Sequence, residues 1–236
     1  MHRVAHRGYS AVAPENTLPA LAAAVSAGAT HVEFDVRTTA DDVPVVIHDR
    51  TVDRTTNGTG HVWDLTVDEI RALDAGSWFS PAFAGLKVPL LSEVLALPLA
   101  DASLLLEIKP PTNADQVKRI LTMLGDLAGR TIVQSFDPSV VRLVREVAPD
   151  IRRGLLRLRF EADTVALVRD LGVVCCNPSV ADVVGAPEMV AELAAEGVEV
   201  MPWTANDITE WRALAAAGVA GLITDHAGEL TGWAAS

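Results

Sequence analysis

The chain has 236 residues, half of them hydrophobic, with 19 basic and 31 acidic side chains giving a formal net charge of -12. That size and apolar content support a large folded core and exclude a disordered chain, and the negative charge weighs against nucleic acid and anionic lipid surfaces as partners. No uninterrupted apolar run is long enough for a membrane span, so stable membrane insertion is not expected.

Short runs rich in valine, isoleucine and leucine alternate with longer segments of helical periodicity, the pattern of strand and helix units around a parallel sheet. The runs, in chain order, are HRVAH from His2, HVEFDV from His31, LLLEIK from Leu104, TIVQSF from Thr131, RRGLL from Arg152, GVVCCN from Gly172, VEVMPW from Val198 and AGLIT from Ala220. Between them, Leu18, Leu21, Ala22 and Val25 form a helical stripe that stops at Gly28, and Val117, Ile120, Leu121 and Leu124 repeat it. Asp137 with Pro138 reads as a helix cap ahead of Val140, Val141 and Val144; Pro187 and Asn206 are expected to open two further helices. In PENT, Asn16 or Thr17 is expected to cap the first helix.

Eight such units suit a closed (β/α)8 TIM barrel better than an open doubly wound sheet, and no glycine-rich dinucleotide turn occurs. The expectation is therefore one barrel domain over residues 1–236. Residues 43–98 break the rhythm with a strand-like VPVVIHD, a turn TTNGTG and a helix capped by Thr66 and Glu69, and read as a small insertion after the second strand. The only cysteines, Cys175 and Cys176, are adjacent and apolar in context; they read as buried thiols of a reducing compartment, the cytoplasm by default.

The ionisable residues fall at one place in this architecture. His6 and Arg7 end the first strand, Glu33 and Asp35 the second, Glu107 and Lys109 the third, and Trp203 the seventh. Strand ends of a parallel barrel share one face, and residues two apart on a strand share one side, so these groups are expected to converge. Three carboxylates meeting there call for a cation, and an all-oxygen set favours Ca2+ or Mg2+ over zinc. His48, in VVIHD, supplies a second histidine that could join His6 as a general acid and base around a phosphate held by Arg7 and Lys109.

The ordered motifs AHRG, PENT, VEFDV, VVIHD, DRTTNGTG, LLEIK, QSF, WTAN and GLITD resemble those of the glycerophosphodiester phosphodiesterases, over nearly the whole chain. The resemblance implies a (β/α)8 barrel that hydrolyses glycerophosphodiesters, a small-molecule substrate, to an alcohol and sn-glycerol 3-phosphate with one divalent metal ion, Ca2+ or Mg2+. It implies His6 and His48 as the acid and base pair, Glu33, Asp35 and Glu107 around the metal, and Arg7 and Lys109 on the phosphate. It further implies attack by the substrate's own glycerol hydroxyl through a cyclic phosphate. Trp203 is expected in the substrate pocket, and Trp63, Trp78 and Phe79 of the insertion over its mouth. The alternatives are a lysophospholipase D-like or other phosphodiesterase, a sugar-phosphate isomerase, or a silent binding module. The chain departs from the family after GLITD, where His226 and Ala227 replace a frequent proline.

Overall fold

A computed structural model describes residues 1–236. Its strands are β1 (His2–Ala5), β2 (His31–Thr38), β3 (Pro44–Val46), β4 (Ser103–Ile108), β5 (Thr131–Ser135), β6 (Arg152–Leu156), β7 (Cys175–Asn177), β8 (Glu199–Val200) and β9 (Gly221–Thr224). Eight of them run parallel in the order β8-β7-β6-β5-β4-β2-β1-β9. The seam between β8 and β9 is crossed by Ala220 N–H donating to Val200 O at 2.9 Å and Ile223 N–H to Pro202 O at 3.0 Å. Each of the eight runs read from the sequence overlaps one of these strands, so the barrel expectation holds.

Alternation along the strands separates two apolar environments. Val32, Phe34 and Val36 of β2, with Leu104 and Leu106 of β4, pack outward among the helices. Val4, Leu105, Ile132, Cys175, Met201 and Ile223 fill the barrel interior. Glu33, Asp35 and Glu107 share the interior parity, Glu33 level with Leu105 and the other two acids two positions nearer the carboxyl end. Register fixes their neighbourhood: Glu33 pairs with Leu105 and Asp35 with Glu107 across β2 and β4.

The helices follow from their caps and stripes. Asp137 accepts from Ser139 N–H, with proline in the first turn of the helix Pro138–Val147, and that helix buries Val140, Val141 and Val144. Each such aliphatic side chain contributes roughly 1.5–3 kcal/mol of burial. Thr17 caps the helix Leu18–Ser26, whose buried face is Ala20, Leu21 and Ala24, so Ala22 of the expected stripe turns outward. The helix assigned to Asn206 is capped instead by Asp207, which accepts from Thr209 and Glu210 N–H. Asn206 is diverted because its amide satisfies the β9 end: it donates to Asp225 at 2.7 Å and accepts from Asp225 N–H at 3.0 Å.

Between β2 and β4 the chain leaves the barrel rhythm. β3 pairs antiparallel with β2, Val36 opposite Val46, and the helix Val67–Ala72 carries the Thr66 and Glu69 capping box. Val45, Ile47, Val52, Val62, Ile70, Ala75 and Val88 form a separate small apolar cluster here. No helix of the chain is long and apolar enough to cross a membrane.

After β1 the chain turns sharply through Gly8, whose φ is +82° and whose added Cβ would lie 2.5 Å from the carbonyl carbon of Ala20. Backbone packs on backbone here, so neither partner can rotate away. Gly8→Ala is expected to lower stability by at least about 2 kcal/mol, combining left-handed strain with the clash; chemical denaturation of the two proteins checks it.

Candidate functional site

The carboxyl ends of the strands enclose a cavity of about 300 Å³ lined by His6, Arg7, Glu33, His48, Glu107, Lys109, Gln134, Phe136, Leu156, Trp203 and Ile223. Seven of the eight sequence-selected residues line it. The eighth, Asp35, lies behind that lining, 1% exposed, with Lys109 Nζ at 3.1 Å and Arg7 Nε at 3.5 Å.

Glu33, Asp35 and Glu107 each place a carboxylate oxygen within 4.8 Å of the other two. All three are buried. Lys109 Nζ sits 2.7 Å from Glu107 and Arg7 donates its backbone N–H to Glu33 at 2.8 Å. Burial, with Asp35 and Glu107 close by, pushes the Glu33 carboxyl well above the usual carboxylate range. Burial and then Asp35 push Glu107 up to about 8. Burial also works against Asp35, but Lys109 and Arg7 outweigh it and hold its carboxyl far below the usual range. Three acids facing two cations form an all-oxygen donor set with excess negative charge, the chemistry that a hard divalent cation fits.

The local backbone is bent to serve this cluster. Arg7 and Asn16 are both left-handed, with φ of 55° and 57°; such conformations in residues with a Cβ cost free energy and persist where surrounding contacts over-determine them. For Asn16 the contacts are plain. Its amide donates to Asp35 Oδ2 at 2.8 Å and its carbonyl oxygen accepts Asp35 N–H at 3.1 Å. Thr17 alone caps the helix, leaving Asn16 to fix the central carboxylate.

Each histidine is oriented by a carboxylate. His6 Nδ1 lies 2.7 Å from Asp225 and His48 Nδ1 lies 2.6 Å from Asp49. Because an ionised carboxylate only accepts, each Nδ1 carries the proton and Nε2 is the nitrogen left to serve the cavity. Asp225 is locked in turn by Ser10 and Asn206. Burial lowers the basicity of His48, offset only in part by Asp35. Trp203 is pinned by its indole N–H donating to Asn177 O at 2.8 Å, and its ring meets Phe136 edge to face at 5.4 Å between centroids. Lys109 Nζ stands 5.6 Å from the centre of the Phe136 ring.

Asn16, Asp49, Asp225, Asn206, Glu15, Arg54 and Gln134 were not selected from the sequence. Asp225 and Asn206 sit inside GLITD and WTAN, and their position at barrel strand ends is the signal that could have found them. Of the insertion aromatics, Trp78 and Phe79 line a second groove of about 430 Å³ that shares His6 and Arg7 with the cavity. Trp63 instead stacks on His61 at 4.6 Å.

Residues 6–229 match the model of the glycerophosphoryl diester phosphodiesterase family. A glycerophosphodiester phosphodiesterase of Caldanaerobacter subterraneus is 36% identical, over 94% of this chain and 93% of that protein. One from Bacillus subtilis is 32% identical, over 94% and 83%. Among solved structures, a glycerophosphodiester phosphodiesterase from Agrobacterium tumefaciens superposes with TM-score 0.86 at 32% identity, covering 98% of this chain and all of that one. An Oleispira antarctica phosphodiesterase in complex with the product sn-glycerol-3-phosphate gives TM-score 0.90 at 25% identity, covering 100% and 97%.

The raised Glu107 carboxyl has a thermodynamic consequence. Burial and Asp35 raise it to about 8 in the fold, against about 4.3 in an unfolded chain, so folding takes up a proton between those limits. Its contribution is fully present below the lower value and is lost as pH rises through the upper one. Asp35, shifted the other way, loses its contribution only in strong acid. With chelator present, the Tm of Glu107→Gln is therefore expected to fall less between pH 5 and pH 8 than that of the parent chain; thermal melts across that range check it.

Proposed function

The chain belongs to the glycerophosphoryl diester phosphodiesterase family, and from that membership we propose that its barrel mouth hydrolyses glycerophosphodiesters to an alcohol and sn-glycerol 3-phosphate. The observation that carries the reading is the convergence on one cavity of two carboxylate-oriented imidazoles, a buried acid triad and two cations. The product held by the Oleispira protein supports the same substrate class. Residues 1–236 act in this reading as one catalytic domain, and residues 43–98 are an insertion that delivers His48 to the barrel.

Arg7 and Lys109 receive the phosphate anion, Arg7 through a planar fork and Lys109 as a point charge. Both already neutralise Asp35, which keeps them charged at the mouth. Glu33, Asp35 and Glu107 would hold one divalent ion, Ca2+ or Mg2+, which when bound neutralises the acids and polarises the phosphoryl oxygens. His48, kept neutral by burial, takes the proton of the attacking hydroxyl at Nε2, and His6 gives a proton to the departing oxygen. Asp49 holds the His48 ring with its proton on Nδ1, so that Nε2 can accept, and Asp225 faces Nδ1 of His6, which as the acid carries a proton on both nitrogens and gives the one on Nε2. Attack by the substrate's own glycerol hydroxyl, with a cyclic phosphate before water enters, uses the same two proton positions.

The two grooves that meet at His6 and Arg7 suit the two arms of a phosphodiester. We assign the glycerol to the cavity walled by Phe136 and Trp203, and the departing alcohol to the groove of Trp78 and Phe79.

His6→Ala and His48→Ala are each expected to lower turnover by about two to four orders of magnitude with the fold intact. The assay is glycerol 3-phosphate release from glycerophosphocholine and glycerophosphoethanolamine, with circular dichroism as the folding control; parental turnover in either variant would overturn that residue's role. Chelation is expected to abolish release and added Ca2+ or Mg2+ to restore it. Glu33→Ala is expected to weaken the ion's binding in calorimetry, and an unchanged titration counts against Glu33 as a ligand.

A further inference from the structure

Beside the cavity, five residues from two loops form one alternating chain of charge. His48 Nδ1 lies 2.6 Å from Asp49 Oδ1. Arg54 grips the same carboxylate with Nε at 2.6 Å and one terminal nitrogen at 3.1 Å. Its other edge holds Glu15, at 2.7 and 2.8 Å. Glu15 Oε1 in turn accepts from an Arg7 terminal nitrogen at 2.8 Å. We propose that Arg54 is a positioning residue that sets the His48 ring and the Arg7 guanidinium relative to one another, through Asp49 and Glu15.

Three features separate this network from an ordinary surface ion pair, which contributes little. The first is its shape: a guanidinium has two hydrogen-bonding edges in one plane, and Arg54 uses both, each with two contacts. The second is burial of the acceptors, since Glu15 and Asp49 side chains are 13% and 28% exposed against 45% for Arg54. Arg54 accordingly holds Asp49 at about 2. The third is the scarcity of other restraints on the two ends. The His48 ring has Asp49 as its one hydrogen-bond partner, while Arg37 reaches the backbone carbonyl of His48, at 2.9 Å, and not its ring. The Arg7 guanidinium has Glu15 as its one well-formed hydrogen bond, for its Nε is buried without one and stands 3.5 Å from Asp35.

His48 arrives on the inserted segment after β3, whereas Arg7 follows β1; both strands pair with β2, which sets the backbone separation but not how the imidazole and the guanidinium sit relative to one another. Arg54 and Glu15 provide that link. A misplacement of either end by a fraction of an ångström reaches the reacting phosphate directly, where such errors are costly.

The inference rests on the acid–base and phosphate roles proposed above, and the kinetics of four variants separate the two. Asp49→Asn loosens the histidine end and is expected to lower kcat about tenfold to a hundredfold with little change in KM. Glu15→Gln loosens the arginine end and is expected mainly to raise KM for glycerophosphocholine. Arg54→Gln is expected to do both, and combined with Asp49→Asn to cost no more kcat than Asp49→Asn alone, the signature of residues acting through one path. Arg54→Lys, with a single ammonium that cannot span both carboxylates, is expected to recover at most one of the two parameters. The His48 Nδ1 proton resonance, expected to broaden or shift in Arg54→Gln, reports the ring independently of turnover. Parental kcat and KM in a folded Arg54→Gln would overturn the inference while leaving His48→Ala to test the reading beneath it. Additive losses across the double variant would also overturn it. Should Arg54→Gln not fold, Arg54→Lys, Asp49→Asn and Glu15→Gln still decide. Parental turnover in His48→Ala would sink both.

Discussion

Three carboxylates buried against one another are the constraint around which this molecule is arranged. Like charges within 4.8 Å on buried side chains repel strongly, and burial alone penalises each ionised form. The chain answers unequally. It concentrates Lys109, Arg7 and Asn16 on Asp35, which stays ionised, and leaves Glu33 and Glu107 with too little compensation, so their carboxyls rise. A cluster with one committed charge and two reluctant ones is unstable as an isolated feature and well matched to a dication.

The barrel makes that crowding affordable through geometry rather than through any single strong contact. Parallel strands put the ends of β1, β2 and β4 side by side, and two-residue periodicity turns Glu33, Asp35 and Glu107 inward while Phe34 and Leu106 face the helices. The apolar layers inside and outside the barrel wall therefore fix the backbone that carries the acids. Gly8 brings the β1 turn against the backbone of Ala20, and this close approach lets Arg7 aim its N–H at Glu33. Packing and electrostatics are joined at that turn.

Patterns of period two and period 3.6 made the architecture legible: all eight barrel strands, the Asp137 and Thr66 caps and the stripe Val117, Ile120, Leu121 and Leu124 lie where the sequence places them. The groups that face the cavity were legible for a related reason, since a charged residue at the inward position of an apolar strand stands out. The residues that orient those groups were not. Asn16, Asn206 and Asp225 are short polar residues at loop and helix starts, where capping explains them equally well; only tertiary contacts distinguish Thr17 and Asp207, which cap, from Asn16 and Asn206, which bind carboxylates. Arg54 is a basic residue in a turn, and nothing in its neighbourhood along the chain announces that Glu15 lies on its other edge.

His48 reaches the cavity from outside the barrel's repeating plan, and this alters how the site must be held together. A strand-end residue such as Glu107 inherits its position from sheet register, to within the tolerance of a hydrogen-bonded ladder. His48 follows β3, a three-residue strand paired with only the outer part of β2, and the apolar cluster of its segment is small. Such a segment needs polar anchors to the barrel to match the precision of the other groups. It has them in Arg37, which rises from β2 to hold the His48 carbonyl and Pro110 O, and in the Arg54 fork on Glu15. Cations fill these posts because the acids around the cavity are in excess, so each anchor that positions a loop also offsets charge repulsion at the mouth.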